Sequence, residues 1–569
     1  MTGMKKIALL IFSMAVLAVT ASAQSQSNHT QAPDEAQAPT QPVTTVDQAI
    51  DRMIAREHDE MAAIRRYSPI VETYAQDMKP DKDVGLVPIG DHYFLGQADL
   101  SKGIVDNSMI SVKKTKLGQL NPIAHLSAYF SSSYMPPDEF LQLIYMDMNG
   151  LDRQHYRFEY VRREFLGDVR CVVFDVLPRS KSDKGRFEGR LWAEDQDYTI
   201  VRFNGVRMPI GGPNSFNLHF DTWRMNVAPR VWLPAFIFGQ EFTLGDPTGK
   251  HVRFKSQTRL WGYDLKGATR EQEFSKLTID SPNAVQEQAG AEQKDRSPIE
   301  VEREWQHQAE NNVLDRLERI GLLAPSGEVD KVLETVVNNL EVTNNLNIEP
   351  DVRCRILLTD TLESFSVGHT IVLSRGLIDV LPDEASLATM LAQELADILV
   401  SKVSTDNWGF NDTTNVSVLE ALNHFSFRDT PDQVQAAGQK AVELLKNSPY
   451  KDKLGNAGLF VKQLDAESES LKALINPHLG NRVYVYEQLI SSAPQLQPEK
   501  IDQIAALPIG ARVKVDPWSD RAELLKAKPV PLLSAREKMP FEVTPFMPYL
   551  TRYQNTSAGI ADRAHREAQ

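Results

Sequence analysis

The stretch 386-SLATMLAQELADILVSK-402 decides how the second half of this chain is read. Its length and its apolar spacing, with Met390 and Leu395 at core positions, are those of an α-helix. Pro382 and Asp383, just ahead of it, form a good helix start. Three polar residues, Gln393, Glu394 and Asp397, interrupt the apolar body. Their meaning depends on what flanks the helix.

Before the helix lies 353-RCRILLTDTLESFSVGHTIVLSRGLIDVL-381, two short apolar strands around a turn, followed by Gly376. After it, 424-HFSFRDTPDQVQAAGQKAVELLKNSPYKDKLGNAGLFVKQL-464 reads as a second long helix, a turn and a third apolar stretch. Strand pair, helix and later helix, in that order, is what a zinc peptidase needs. In H-E-x-x-H two imidazoles one turn apart reach a single zinc, and the Glu between them activates the bound water.

These three stretches resemble metallopeptidase family 48, the zincins that include the heat-shock HtpX type and the CAAX prenyl proteases. "ESFSVGHTIVLSRGLIDVL" and "ATMLAQELADIL" fall in register with the family's strand segment and its A-H-E-I-A-H helix. "FRDTPDQVQAAG" keeps Arg428 and Gly438 at the separation of the family's later S-R-x-x-E-x-E-A-D-x-x-G segment. The resemblance covers about residues 300–470 and implies a zincin fold.

The departures are as informative as the match. Gln393 and Asp397 stand where the family has its two His ligands. Pro431 stands at the ligand Glu, and Gln435 at the supporting Asp. Glu394 alone keeps the family's general-base position. An amide oxygen is a weak zinc donor, and one carboxylate plus one amide falls short of a three-ligand site. Without a metal, water keeps a pKa of about 15.7, and Glu394 has nothing activated to assist. No cofactor is therefore expected, with zinc reserved for the alternative of an active enzyme. His369 and His424 are the candidate substitute ligands, each able to face Asp397. The plain reading of Glu394 is an acidic group held by Arg428 or by a helix N-terminus. There is no G-x-S-x-G, Walker-type loop, C-x-x-C or dinucleotide fingerprint.

The first half differs. After an amphipathic helix ("TVDQAIDRMIAREHDEMAAIRRY", with Ile50, Met53, Ile54, Met61 and Ile64 at helical spacing), residues 66–265 read mostly as β. In 185-GRFEGRLWAEDQDYTIVRF-203, Phe187, Gly189 and Leu191 alternate with Glu188, Arg190 and Trp192, and "EDQD" turns the chain. A second hairpin turns at "APR", and "HVRFKSQTRLWGY" sets Val252, Phe254 and Leu260 against Arg253, Lys255 and Arg259. One apolar and one charged face predict an antiparallel sheet covered on one side. A long antiparallel sheet behind an N-terminal helix resembles the envelope lipoprotein-carrier fold, a half-barrel that cradles acyl chains.

Of the 569 residues 42% are hydrophobic, enough for real cores. The formal charge of −14 excludes nucleic acid as the main partner. Lys5 and Lys6, the apolar run Ile7–Val19 and Ala21-Ser22-Ala23 describe a cleavable secretory signal, too short to span a bilayer. Cys171 and Cys354, in different halves, read as buried small hydrophobes.

The expected organisation is α+β and multidomain: signal 1–23, spacer 24–43, β domain 44–265, linker 266–300, peptidase-like domain 301–500, and a C-terminal hairpin, Pro-rich arm and loose tail over 501–569. The expected function is that of an exported pseudopeptidase, in the periplasm or secreted, binding or assembling envelope proteins. The alternatives are an active metalloendopeptidase with rearranged ligands, or a carrier or sensor of lipid or lipoprotein.

Overall fold

The alternating runs of the first half assemble into a single antiparallel sheet, seen here in a computed structural model. It describes residues 45–81, 85–100, 105–108, 140–180, 185–207, 218–241, 254–263, 298–400, 427–476, 479–483, 489, 491, 493–495, 506–507, 509–525 and 541–553. The expected signal, the spacer, most of the linker and the loose tail lie outside these residues.

Helix α1 (Val46–Ile64) buries Ile50, Met53, Met61 and Ile64, as its spacing predicts. Ten strands follow: β1 (Ile70–Asp81), β2 (Gly85–Asp99), β3 (Val105–Ser108), β4 (Tyr156–Leu166), β5 (Val169–Pro178), β6 (Phe187–Glu194), β7 (Ile200–Arg207), β8 (Leu218–Ala228), β9 (Val231–Glu241) and β10 (Phe254–Trp261). Their order is β3-β2-β1-β10-β9-β8-β7-β6-β5-β4. Neighbours in sequence are neighbours in space, except that β3 and β4 stand at opposite ends and β10 returns to pair with β1, Ile70 facing Trp261. The expected hairpin forms in register, with Leu191 opposite Phe203. The Glu194 carboxylate accepts from the backbone N–H groups of Gln196, Asp197 and Thr199, which closes its turn.

The second half contains α2 (Pro298–Arg319), α3 (Glu328–Thr343), β11 (Arg353–Leu357), β12 (Glu363–Val367), β13 (Thr370–Ser374), α4 (Arg375–Val380), α5 (Glu384–Val400), α6 (Pro431–Lys446), α7 (Leu454–Glu467), α8 (Lys472–Ile475) and β14 (Asn481–Arg482). Asp383 Oδ1 accepts from Ser386 N at 2.8 Å and starts α5 where Pro382-Asp383 predicted. The small sheet runs β11-β13-β12-β14, with β11 parallel to β13 and the other pairs antiparallel. A final hairpin joins β15 (Val513–Val515) to β16 (Ala522–Leu524).

Two expectations change. The large sheet is covered on both faces over β1 and β8–β10, and one face stays open over β4–β7. On one face α1 packs beside an aromatic cluster of Phe187, Phe203 and Phe220, met edge-on at 5.9–6.0 Å. Thr222 there donates to Leu143 O, and Glu57 pairs with the buried Arg224. On the other face Trp192, Trp223, Phe236, Phe238 and Trp261 belong to one apolar core with Leu314, Val336, Leu391 and Leu444 of the helical half. Arg259, read as solvent-facing, is buried because Asp360 lies across this contact at 3.6 Å. The C-terminal arm crosses the sheet as well. Gln76 of β1 bonds to Phe541 O and Val543 N, Phe546 meets Phe236, and Asp168 N donates to Leu550 O.

A buried polar cluster ties the two halves together. Arg375 of α4 donates to Glu72 of β1 at 2.9 Å and to Asp360 at 2.5 Å. Tyr93 donates to Glu72 at 2.8 Å and Gln257 to Asp360 at 2.7 Å. Burial and then Asp360 push the Glu72 carboxyl up to about 8, while Arg375 opposes them. Cys171 in β5 and Cys354 in β11 are free and buried.

Candidate functional site

Helix α5 lies against β12, and their side chains meet in pairs. The strand places Ser364 and Ser366, two apart, on one face. The helix presents Glu394 and Asp397 three apart on the facing side. Ser364 Oγ donates to Glu394 Oε1 at 2.6 Å, and Ser366 Oγ to Asp397 Oδ2 at 2.9 Å. Both carboxyls are buried. Glu394 Oε2 has no hydrogen-bond partner. Burial pushes the Glu394 carboxyl up to about 8, with Asp397 and Asp429 adding like charge and Ser364 opposing. At neutral pH Glu394 is therefore predominantly a neutral acid, whereas a general base must be ionised.

A strip of the chain's own backbone closes the site. β14 pairs on β12, setting Ser364 opposite Asn481. The buried Glu363 carboxylate accepts from Leu479 N at 3.1 Å and Gly480 N at 2.9 Å. A Cβ at Gly480 would fall 2.4 Å from the Phe365 ring and 2.7 Å from Ser364 O, so only glycine lets the strip lie this close. Asp429 and Asn481 bond reciprocally, at 2.9 and 2.5 Å, and Phe427 stacks on Phe365 at 4.5 Å. Burial and then Asp397 push Asp429 up to about 6. What remains between Glu394 and the strip is a void of about 10 Å³, lined by Ser364, Met390, Gln393, Val434 and Asn481–Val483. That admits about one water and no peptide.

The structure brings Gln393, Glu394 and Asp397 together on α5. It does not bring Pro431, Gln435 or His369 to them. Pro431 is exposed at the first turn of α6, where its missing N–H costs nothing. Gln435 is exposed as well, and Val434 is the α6 residue that lines the void. His369 sits in the β12–β13 turn beside Glu310 and His307. His424 lies outside the described residues. Glu394 is held by Ser364 rather than by Arg428 or a helix N-terminus. Ser364, Ser366, Asp429 and Asn481 are the site residues missed in the sequence.

Zinc, which the family resemblance implies, does not fit here. Among the described residues the facing groups include no imidazole or thiolate, both carboxyls are already engaged by serines, and apolar Met390, Val434 and Val483 line the gap.

Two other concavities border the large sheet. One of about 40 Å³ lies between Phe236, Trp261 and Phe546. The other is an open trough of about 500 Å³ over β4–β7, lined by Glu159, Asp175, Glu188, Arg190 and Arg202. Among the described residues no helix is long and apolar enough to cross a membrane.

No protein-family model matches the sequence, and no curated protein matches it. Among solved structures, the chain is similar to one described as an outer membrane lipoprotein-sorting protein domain from Vibrio parahaemolyticus. The identity is 9% and the TM-score 0.20, over 40% of this chain and 97% of that one.

Proposed function

We propose that this chain is a catalytically silent member of the zincin-like proteins, exported and used to bind or assemble envelope proteins. One observation carries the reading. The residue at the general-base position, Glu394, is a desolvated carboxyl bonded to Ser364 beneath the chain's own β14. Export is supported by the signal-like segment ending at Ala21-Ser22-Ala23.

A binding role is supported by β4, at the end of the large sheet, whose Tyr160 and Phe165 are exposed. An outer strand edge with exposed aromatics suits pairing with an extended segment of another protein.

The test is cleavage of an unfolded polypeptide by the full chain supplied with zinc, compared with Glu394→Gln. Equal background in both supports the proposal. Zinc-dependent cleavage lost in Glu394→Gln would show an active metalloendopeptidase instead.

The carrier alternative is favoured by the long antiparallel sheet behind an N-terminal helix. It requires room for an acyl chain, and Phe187, Phe203 and Phe220 fill the α1 face where they cluster. Acyl lipid extracted in stoichiometric amount from the purified protein would favour it over the assembly reading.

A further inference from the structure

We propose that His307, Glu310 and His369 form a site for one divalent transition metal of the zinc class, separate from the α5 helix site. Helix α2 carries His307 and Glu310 three apart, hence on one face. His369 reaches them from the turn between β12 and β13. His307 Nδ1 lies 3.4 Å from Glu310 Oε2, and His369 Nδ1 lies 3.7 Å from Glu310 Oε1. One ligand atom from each of the three lies within 4.8 Å of the others.

These separations are longer than those of a well-formed salt bridge. A charged hydrogen bond would draw nitrogen and oxygen to about 2.7–2.9 Å. Two donors bound to one zinc at about 2.0–2.1 Å, at the tetrahedral angle, stand about 3.3–3.4 Å apart. The two nitrogen–oxygen spacings, each to a different oxygen of Glu310, are too long for the first geometry, and small side-chain rotations bring the three donors to the second. The His369 Nδ1 is shut off from solvent with no hydrogen-bond partner. A buried ring nitrogen left so is costly unless something occupies its lone pair.

The backbone is also shaped for the carboxylate. Gly368 has φ +55, and a Cβ there would fall 1.7 Å from the Glu310 carboxyl carbon. Glycine both adopts the turn and clears the space. Two imidazoles and one carboxylate are zinc's own donor types, and three protein ligands leave a fourth position for water. His307 is partly exposed, which gives the ion a way in. The bound ion would staple α2 to the hairpin that carries Ser364 and Ser366. This departs from the sequence expectation of no metal, and it stands or falls independently of the proposed function.

The test uses the full chain, stripped with chelator and titrated with Zn²⁺ alone and with Co²⁺ alone. One equivalent should bind, raising the melting temperature and giving a visible Co²⁺ absorption band. His369→Ala and His307→Ala should each weaken binding beyond the roughly 10–100-fold that losing an outer-shell partner costs. Glu310→Gln, nearly isosteric, should do the same in a protein whose circular dichroism is unchanged. Asp397→Asn should leave binding intact. Absence of saturable binding would overturn the site. So would binding indifferent to all three substitutions, or binding abolished by Asp397→Asn.

Discussion

Ser364 and Glu394 face each other across β12 and α5, the hydroxyl donating to the carboxyl at 2.6 Å. The carboxyl's other oxygen has no partner, so the proton that burial favours has an obvious seat there. In the unfolded chain Glu394 ionises at the ordinary carboxylate value, whereas in the fold it holds its proton up to about 8. Between those values the folded state binds more protons, so stability falls as pH rises through the window. The full cost is on the order of 5 kcal/mol above the folded pKa. Glu394→Gln should remove that slope, stabilising the protein at pH 8.5 and changing little at pH 5. Urea melts at the two pH values measure it, and equal effects at both would contradict the protonated state.

Removing the hydroxyl tests the same pair from the strand side. Ser364→Ala leaves a buried acceptor unsatisfied, at a cost of about 1–3 kcal/mol. In a Glu394→Gln background the cost should change, because the two side chains are coupled. Additive effects in a double-mutant cycle would show that the contact contributes nothing.

Arg375 is buried and bonds to carboxylates from both halves. Arg375→Ala should cost about 3–5 kcal/mol, since it strands Glu72 and Asp360 in the core. The sheet and helical halves should weaken together, because their apolar core is continuous. Hydrogen exchange quickened in β1 and α5 alike would bear this out. Loosening confined to one half would not.

The strip over the site depends on one missing side chain. Gly480→Ala puts a methyl group against Phe365 and Ser364 O, an overpacking worth about 1–3 kcal/mol. Amide exchange at Leu479 and position 480, whose N–H groups bond to Glu363, should accelerate ahead of that in β12. Unchanged exchange there would mean that β14 is not held by this close approach.

Features governed by local spacing were legible in the sequence. The period of α5, its Pro382-Asp383 start and the Phe187–Phe203 hairpin all follow from near neighbours. Features made by distant partners were not. Lys255 and Arg259 looked like a solvent face, because the acid that receives this strand, Asp360, is 103 residues beyond Gln257. Asp429 reads locally as a residue ahead of a helix start. Its role at the site appears only when Asn481 folds back on it. "HQAE" shows His307 and Glu310 at helical spacing, but His369 is 59 residues past Glu310. The serines of β12 carry no motif at all, yet they occupy the two carboxyls.

If the proposed function holds, the α5 helix site binds no metal. Anomalous diffraction at the zinc edge, from crystals of the full chain grown with zinc, tests it most directly. The account expects no peak within about 3 Å of the Glu394 and Asp397 carboxyls, given zinc–ligand bonds of about 2.0–2.3 Å. Any peak at His307, Glu310 and His369 belongs to the separate site. A peak bridging Glu394 and Asp397, with the Ser364 and Ser366 hydroxyls turned away, would contradict the account.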